Sequence, residues 1–204
     1  MECQVQSDHS SCKTLTANFV SLILSSLRAA GVEDIILCPS SRNAFFVQNL
    51  ERNENFNCMS FFEERSAGFF ALGNIKKTNR PTAVITTSGT AAAELLPALM
   101  EAHYLELPLI AVTADRPRRF RNSGAPQSAE QVGIYSHYVS YSEDLDFYDE
   151  PSFLNQWNKR TPLHLNICLE DPYGTLSQCT TQTPNWSLTE GLEEGLLYDF
   201  LKNS

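Results

Sequence analysis

A chain of 204 residues, 42% apolar and 19% charged, can bury one full hydrophobic core with an appended segment and has the balance of a globular protein. Its formal charge of −9 and its lack of a long basic stripe argue against a nucleic-acid partner. No apolar stretch nears the ~20 residues of a membrane span, and the longest, Phe19 to Leu27, is interrupted by Ser21, Ser25 and Ser26.

Residues 1–13 form a polar N-terminal extension without the pattern of a secretory signal. Leu15 to Ala30 carries apolar residues at helical spacing and stops at Gly31. Asp34 to Cys38 is expected as a strand closed by Pro39, Asn43 to Glu51 as a short amphipathic helix, and Cys58 to Phe62 as a second strand. A helix from Glu64 to Lys77, a strand from Thr82 to Thr87, a helix from Thr90 to His103 and a strand from Pro108 to Ala114 follow. A long loop leads to a weaker strand at Tyr138 to Ser142, a helical turn at Ser152 to Asn158 and a last strand at Leu163 to Leu169. Near-continuous apolar strands with crossover helices imply a parallel sheet covered on both faces. After Pro172 a Ser-, Thr-, Gln- and Pro-rich stretch reads as a linker, and Leu188 to Leu201 as a helix that continues in something longer.

Six cysteines form no CxxC pair and four histidines show no ligand spacing, so no metal ligand is assigned. Cys38, Cys58 and Cys168 fall in expected buried strands and read as structural thiols of a cytoplasmic protein. There is no GxGxxG after the first strand and no GxxxxGK[ST], and neither Ser41 nor Ser88 has the flanking glycines of a nucleophile elbow.

The informative residues lie where strands end. Glu63 and Glu64 stand between a strand and a helix N-terminus, where backbone N–H groups and the helix dipole favour a carboxylate. Such acids also serve as ordinary first-turn residues. Pro39-Ser40-Ser41-Arg42 follows the first strand, Thr87-Ser88-Gly89-Thr90 the third and Thr113-Ala114-Asp115-Arg116-Pro117 the fourth. Each also reads as a cap or turn. Arg116, Arg118, Arg119 and Arg121 make a small basic loop. Together the polar strand ends of a parallel sheet converge on one rim, where α/β sheets bind ligands.

In this order the motifs Cys-Pro-Ser-Ser-Arg, Phe-Phe-Glu-Glu-Arg, Thr-Ser-Gly-Thr-Ala and Thr-Ala-Asp-Arg-Pro resemble the N-terminal, pyrimidine-binding domain of thiamine diphosphate enzymes. Within them the resemblance is to the MenD family, the 2-succinyl-5-enolpyruvyl-6-hydroxy-3-cyclohexene-1-carboxylate synthases of menaquinone biosynthesis. It extends through Ser123-Gly124-Ala125-Pro126-Gln127 to Asp171-Pro172-Tyr173 and delimits a domain over residues 14–175, with residues 176–204 as linker and start of a truncated central domain.

The resemblance implies a three-layer α/β/α, flavodoxin-like fold with a mostly parallel sheet of about six strands. It implies that Pro39, Glu64, Ser88 and Gly89 meet thiamine diphosphate, and that Glu64 is the catalytic carboxylate that hydrogen-bonds N1′ of the aminopyrimidine. Ser41, Arg42, Arg116 and Gln127 match positions that hold the substrates, 2-oxoglutarate and isochorismate. It further implies Mg2+ with the cofactor diphosphate, a homo-oligomer that shares the cofactor between subunits, and a chain incomplete for catalysis, because no Gly-Asp-Gly occurs. Ser40, Glu94 and Pro126 depart from the family pattern. The alternatives are a stand-alone binding or regulatory domain without catalysis, and the corresponding domain of another 2-oxoacid decarboxylase.

Overall fold

The structure, a computed structural model, describes residues 2–172, with side chains from Thr14 onward. The expected linker and the helix at Leu188 to Leu201 lie outside the described residues.

Helix α1 spans Glu2–Ala29, strand β1 Asp34–Leu37, α2 Ala44–Leu50, β2 Asn57–Ser60, α3 Glu64–Thr78 and β3 Thr82–Thr86. They are followed by α4 Thr90–Ala93, α5 Leu96–Tyr104, β4 Leu109–Asp115, β5 Tyr141–Leu145, α6 Phe153–Gln156 and β6 Leu163–Cys168. The six strands form one sheet in the order β2-β1-β3-β4-β6-β5, and all five pairings are parallel.

Because side chains alternate along a strand, each central strand feeds two cores. Ile35, Leu37, Ala83, Ile85, Ile110 and Val112 pack with α1, α2 and α6, against Phe19, Ile23, Leu27, Phe46 and Phe153. Ile36, Val84 and Ala111 pack with α3 and α5, against Ala67, Ala71, Ile75, Ala98 and Leu99. This is the three-layer α/β/α, flavodoxin-like arrangement. Close approach of α3 to α5 depends on Gly68, where a Cβ would lie 2.8 Å from the Ala98 Cβ.

Four local expectations differ from the structure. The first helix begins at Glu2 and takes in the polar extension. The expected helix from Thr90 to His103 is two helices, because Pro97 sits in the first turn of α5 and offers no N–H to the Ala93 carbonyl. The weak strand lies at Tyr141–Leu145 rather than three residues earlier. Cys58 is exposed, not buried, because β2 is an edge strand with little covering its faces. Among the described residues, no helix is long and apolar enough to cross a membrane.

Candidate functional site

With every pairing parallel, the carboxyl ends of all strands share one rim. Pro39, Ser41 and Arg42 follow β1, Glu64 follows β2, Ser88 and Gly89 follow β3, and Arg116 follows β4. These four strands are consecutive in the sheet, so the candidate residues line one continuous edge.

The turn after β1 is built by Asn43. Its Nδ2 donates to the Cys38 carbonyl at 2.8 Å, and its Oδ1 accepts from the Ser40 amide at 2.8 Å. Pro39 and Ser41 remain exposed on this turn, while Arg42 is buried. The Arg42 guanidinium donates to the Leu169 carbonyl at 3.2 Å and pairs with Asp171 at 2.6 Å. Arg42 thus ties the β1 turn to the chain that leaves β6.

At the end of β2 the two acids part ways. Glu63 is the N-cap of α3, and its carboxylate accepts from the Arg65 amide at 3.1 Å and the Ser66 amide at 2.7 Å. The Ser66 hydroxyl and amide, with smaller contributions from Arg65, hold the Glu63 carboxyl below its ordinary range despite some desolvation. Glu64 is the first residue of α3 and half-buried, and its carboxylate makes no hydrogen bond among the described residues. Its charge reaches Cys38, whose thiol burial pushes up to about 12 with help from Glu64 and Glu63.

Ser88, Gly89 and Gln127 are in direct contact. Ser88 Oγ donates to the Gln127 carbonyl at 2.9 Å, and Gln127 Nε2 donates to the Ser88 carbonyl at 3.2 Å. Gly89 has φ +81°, and a Cβ there would meet Gln127 Cγ at 3.0 Å and its carbonyl oxygen at 3.1 Å. Only glycine tolerates both constraints. Arg116 joins the group indirectly, with Nε and Nη2 donating to the Pro126 carbonyl at 3.0 and 2.5 Å. The structure therefore gathers Ser88, Gly89, Gln127 and Arg116, and places Glu64, Pro39 and Ser41 further along the same rim. Arg42 turns toward Asp171.

Three polar residues that the sequence reading passed over shape this edge: Asn43, Gln131 and Asn166. Gln131 bridges Gly89 to β4 and β6. Asn166 accepts from Thr113 Oγ1 at 3.0 Å and donates to Asp115 at 3.0 Å and Asp144 at 2.8 Å. Burial alone would raise the Asp144 carboxyl, but hydrogen bonds from Arg121, Asn166 and Arg118 outweigh it and hold it at about 2. The basic loop is thereby occupied: Arg118 and Arg121 pair with Asp144, and Arg119 with Glu170. A usable signal was present in β6, where His164 and Asn166 put polar side chains two apart in an otherwise apolar run.

The model of the family "Thiamine pyrophosphate enzyme, N-terminal TPP binding domain" matches residues 17–134. A 2-succinyl-5-enolpyruvyl-6-hydroxy-3-cyclohexene-1-carboxylate synthase of Bdellovibrio bacteriovorus is 51% identical over 150 residues, covering 74% of this chain and 28% of that protein. The synthase of the same name from Akkermansia muciniphila is 44% identical over 158 residues, covering 76% of this chain and 30% of that protein. The chain thus spans less than a third of the length of these curated relatives. A solved structure of a thiamine diphosphate-dependent 4-hydroxybenzoylformate decarboxylase from Rhodococcus jostii RHA1 superposes with a TM-score of 0.64 at 19% identity, over 75% of this chain and 30% of that one. At that identity the likeness speaks for the fold.

Proposed function

Since the chain belongs to the thiamine pyrophosphate enzyme family as an N-terminal TPP-binding domain, we propose that it forms the pyrimidine-binding half of the active site in a synthase of the kind its curated relatives represent. The observation that carries this reading is the Glu64 carboxylate. It stands at the ligand-binding rim and at a helix start, with its acceptor atoms unclaimed among the described residues. Its neighbour Glu63 already satisfies the helix amides.

An unclaimed carboxylate at this rim fits the aminopyrimidine of thiamine diphosphate, whose ring nitrogen can share a proton with it. When bound, the cofactor supplies a nucleophilic carbon and an electron sink for cleavage beside a carbonyl. Glu64 would hold the proton at the pyrimidine N1′, a general acid–base task suited to a carboxylate. Pro39, Ser88 and Gly89 would line the cofactor, Ser88 through its backbone because its hydroxyl is buried and donates to Gln127. The fixed Gly89 turn gives the rim a rigid wall.

Ser41, Arg42, Arg116 and Gln127 would receive the acidic substrates, 2-oxoglutarate and isochorismate. Ser41 is exposed for this role, whereas Arg42 must exchange Asp171 for a substrate carboxylate. Among the described residues no group of three or more His, Cys, Asp or Glu side chains is arranged to hold a metal ion. The diphosphate and Mg2+ are assigned to other parts of a longer protein, which works in the cytoplasm as a homo-oligomer with the cofactor shared between subunits.

The test is an assay of the complete protein for consumption of 2-oxoglutarate in the presence and absence of isochorismate. Consumption that requires both thiamine diphosphate and isochorismate is expected. Cofactor-dependent loss of a 2-oxoacid with no requirement for isochorismate would move the domain to a simple decarboxylase, and no cofactor dependence would sink the proposal.

A further inference from the structure

Gln131 is 1% exposed and belongs to none of the four strand-end motifs, yet its side chain spans three of the elements that make the rim. Oε1 accepts from the Gly89 amide at 2.8 Å, while Nε2 donates to the Ala114 carbonyl at 3.2 Å and to Asn166 Oδ1 at 2.9 Å. Every polar atom of a buried amide needs a partner, and here each partner lies on a different segment: the loop after β3, the end of β4, and β6.

The amide orientation of Gln131 is fixed from behind. Asn166 Nδ2 is committed to the carboxylates of Asp115 and Asp144, so Asn166 presents its oxygen to Thr113 and Gln131. Gln131 must then present nitrogen to Asn166 and oxygen to Gly89. Asp144 is itself held by Arg118 and Arg121. A hydrogen-bonded chain thus runs from the basic loop through Asp144, Asn166 and Gln131 to the Gly89 amide. Gln127 closes the same turn from the other side through two hydrogen bonds to Ser88.

We propose that Gln131 is a positioning residue that locks the Ser88–Gly89 turn, through its hydrogen bond from the Gly89 amide, in the shape that receives the cofactor. The proposal rests on the reading of Ser88 and Gly89 as cofactor contacts. Gln131 touches neither cofactor nor substrate; it acts through Gly89. Preorganisation of this kind lowers the ordering cost of binding.

The test uses two readouts and three variants. Amide exchange at Gly89 is measured by NMR in the 204-residue chain, and thiamine diphosphate affinity is measured by calorimetry in the complete protein with Mg2+. Gln131→Met removes the acceptor with little change of volume and is expected to speed Gly89 exchange at least ~10-fold relative to the amides of β3 and weaken affinity by about the same factor. Gln131→Glu keeps an oxygen for the Gly89 amide but turns its second oxygen toward the Ala114 carbonyl and Asn166 Oδ1, where Gln131 donates, so it too is expected to weaken both. Leu27→Ala, a core change on the α1 face, lowers the melting temperature while leaving both readouts in place. Unchanged Gly89 exchange in Gln131→Met, or faster exchange with undiminished affinity, overturns the proposal. A complete protein that binds no thiamine diphosphate refutes the cofactor reading instead, and Gly89 exchange still decides whether Gln131 holds the turn.

Discussion

The Glu63 carboxylate closes the start of α3 on the amides of Arg65 and Ser66, while the carboxylate of Glu64, one residue on, accepts no hydrogen bond among the described residues. Two adjacent acids with the same chemistry therefore carry different duties. One is consumed in building the helix terminus, and the other keeps its acceptor atoms unused among the described residues. The free one is the residue whose loss should be felt in catalysis.

In the complete protein, Glu64→Gln is expected to cut turnover by about 10²–10⁴-fold, with thiamine diphosphate affinity reduced far less. Gln keeps the length and most of the hydrogen-bonding capacity but cannot hold a proton at N1′ as a carboxylate does. Glu63→Gln weakens the cap, so it lowers the melting temperature and reduces turnover less than Glu64→Gln. A larger catalytic loss from Glu63→Gln in the same steady-state assay would reverse the assignment.

Two glycines of α3 make opposite predictions. Gly68→Ala forces a methyl group to within 2.8 Å of the Ala98 Cβ and is expected to destabilise by about 1–3 kcal/mol through overpacking. At Gly73 a Cβ meets nothing within 4 Å, and Gly73→Ala is expected to stabilise by about 0.5–1 kcal/mol. Urea denaturation of both variants checks the pair. Equal effects would mean that α3 does not approach α5 as described.

His164 gives the fold a pH dependence. Burial pushes its imidazole down to about 3, against a small opposing pull from Asp144, so the folded state keeps it neutral where an unfolded chain would protonate it. Unfolding takes up a proton between the ordinary histidine value of ~6.5 and about 3. Stability from this group is full above ~6.5 and falls as pH drops through that window, by up to ~1.4 kcal/mol per pH unit. Chemical denaturation from pH 7.5 to 4.5 should show this slope, and His164→Gln should flatten it. An unchanged slope in His164→Gln would assign it to other groups.

Arg42 and Asp171 form a pair of unequal burial, 8% and 48% exposed at the side chain. Asp171→Asn is expected to cost about 0–1 kcal/mol, as for a largely solvated partner. Arg42→Ala should cost more, about 1.5–3 kcal/mol, because the Leu169 carbonyl also loses a charged donor. A double-mutant cycle read by thermal melts measures the coupling. Equal single-variant losses would contradict the burial asymmetry.

Much of the fold was legible because β1, β3, β4 and β6 are covered on both faces and so read as near-continuous apolar runs. The rim followed from which residues came directly after those runs. Exposure of Cys58 was not legible, since it depends on β2 lying at the edge of the sheet, a property of strand order that no local window contains. The interruption between α4 and α5 was masked by Leu95, Leu96 and Leu99, which sustain an apolar face across Pro97. Gln131 lies in a polar loop with no period, and its importance arises from contacts to residues 17 to 42 positions away. The direction of Arg42 was likewise set by a partner 129 residues distant.

The strand order also governs the sequence of events during synthesis on the ribosome. On one side β4 has β3 for a neighbour, already made, but on the other it pairs with β6 rather than β5. That flank of β4 stays open until residues 163–168 have left the exit tunnel, and the same residues bring in Asn166, the anchor of Gln131. The half of the sheet that carries Glu64 can assemble early in translation. The half that supplies Asn166 behind the Gln131–Gly89 contact is completed last, so a nascent chain stalled before residue 163 holds the Glu64 end of the rim without that support beside it.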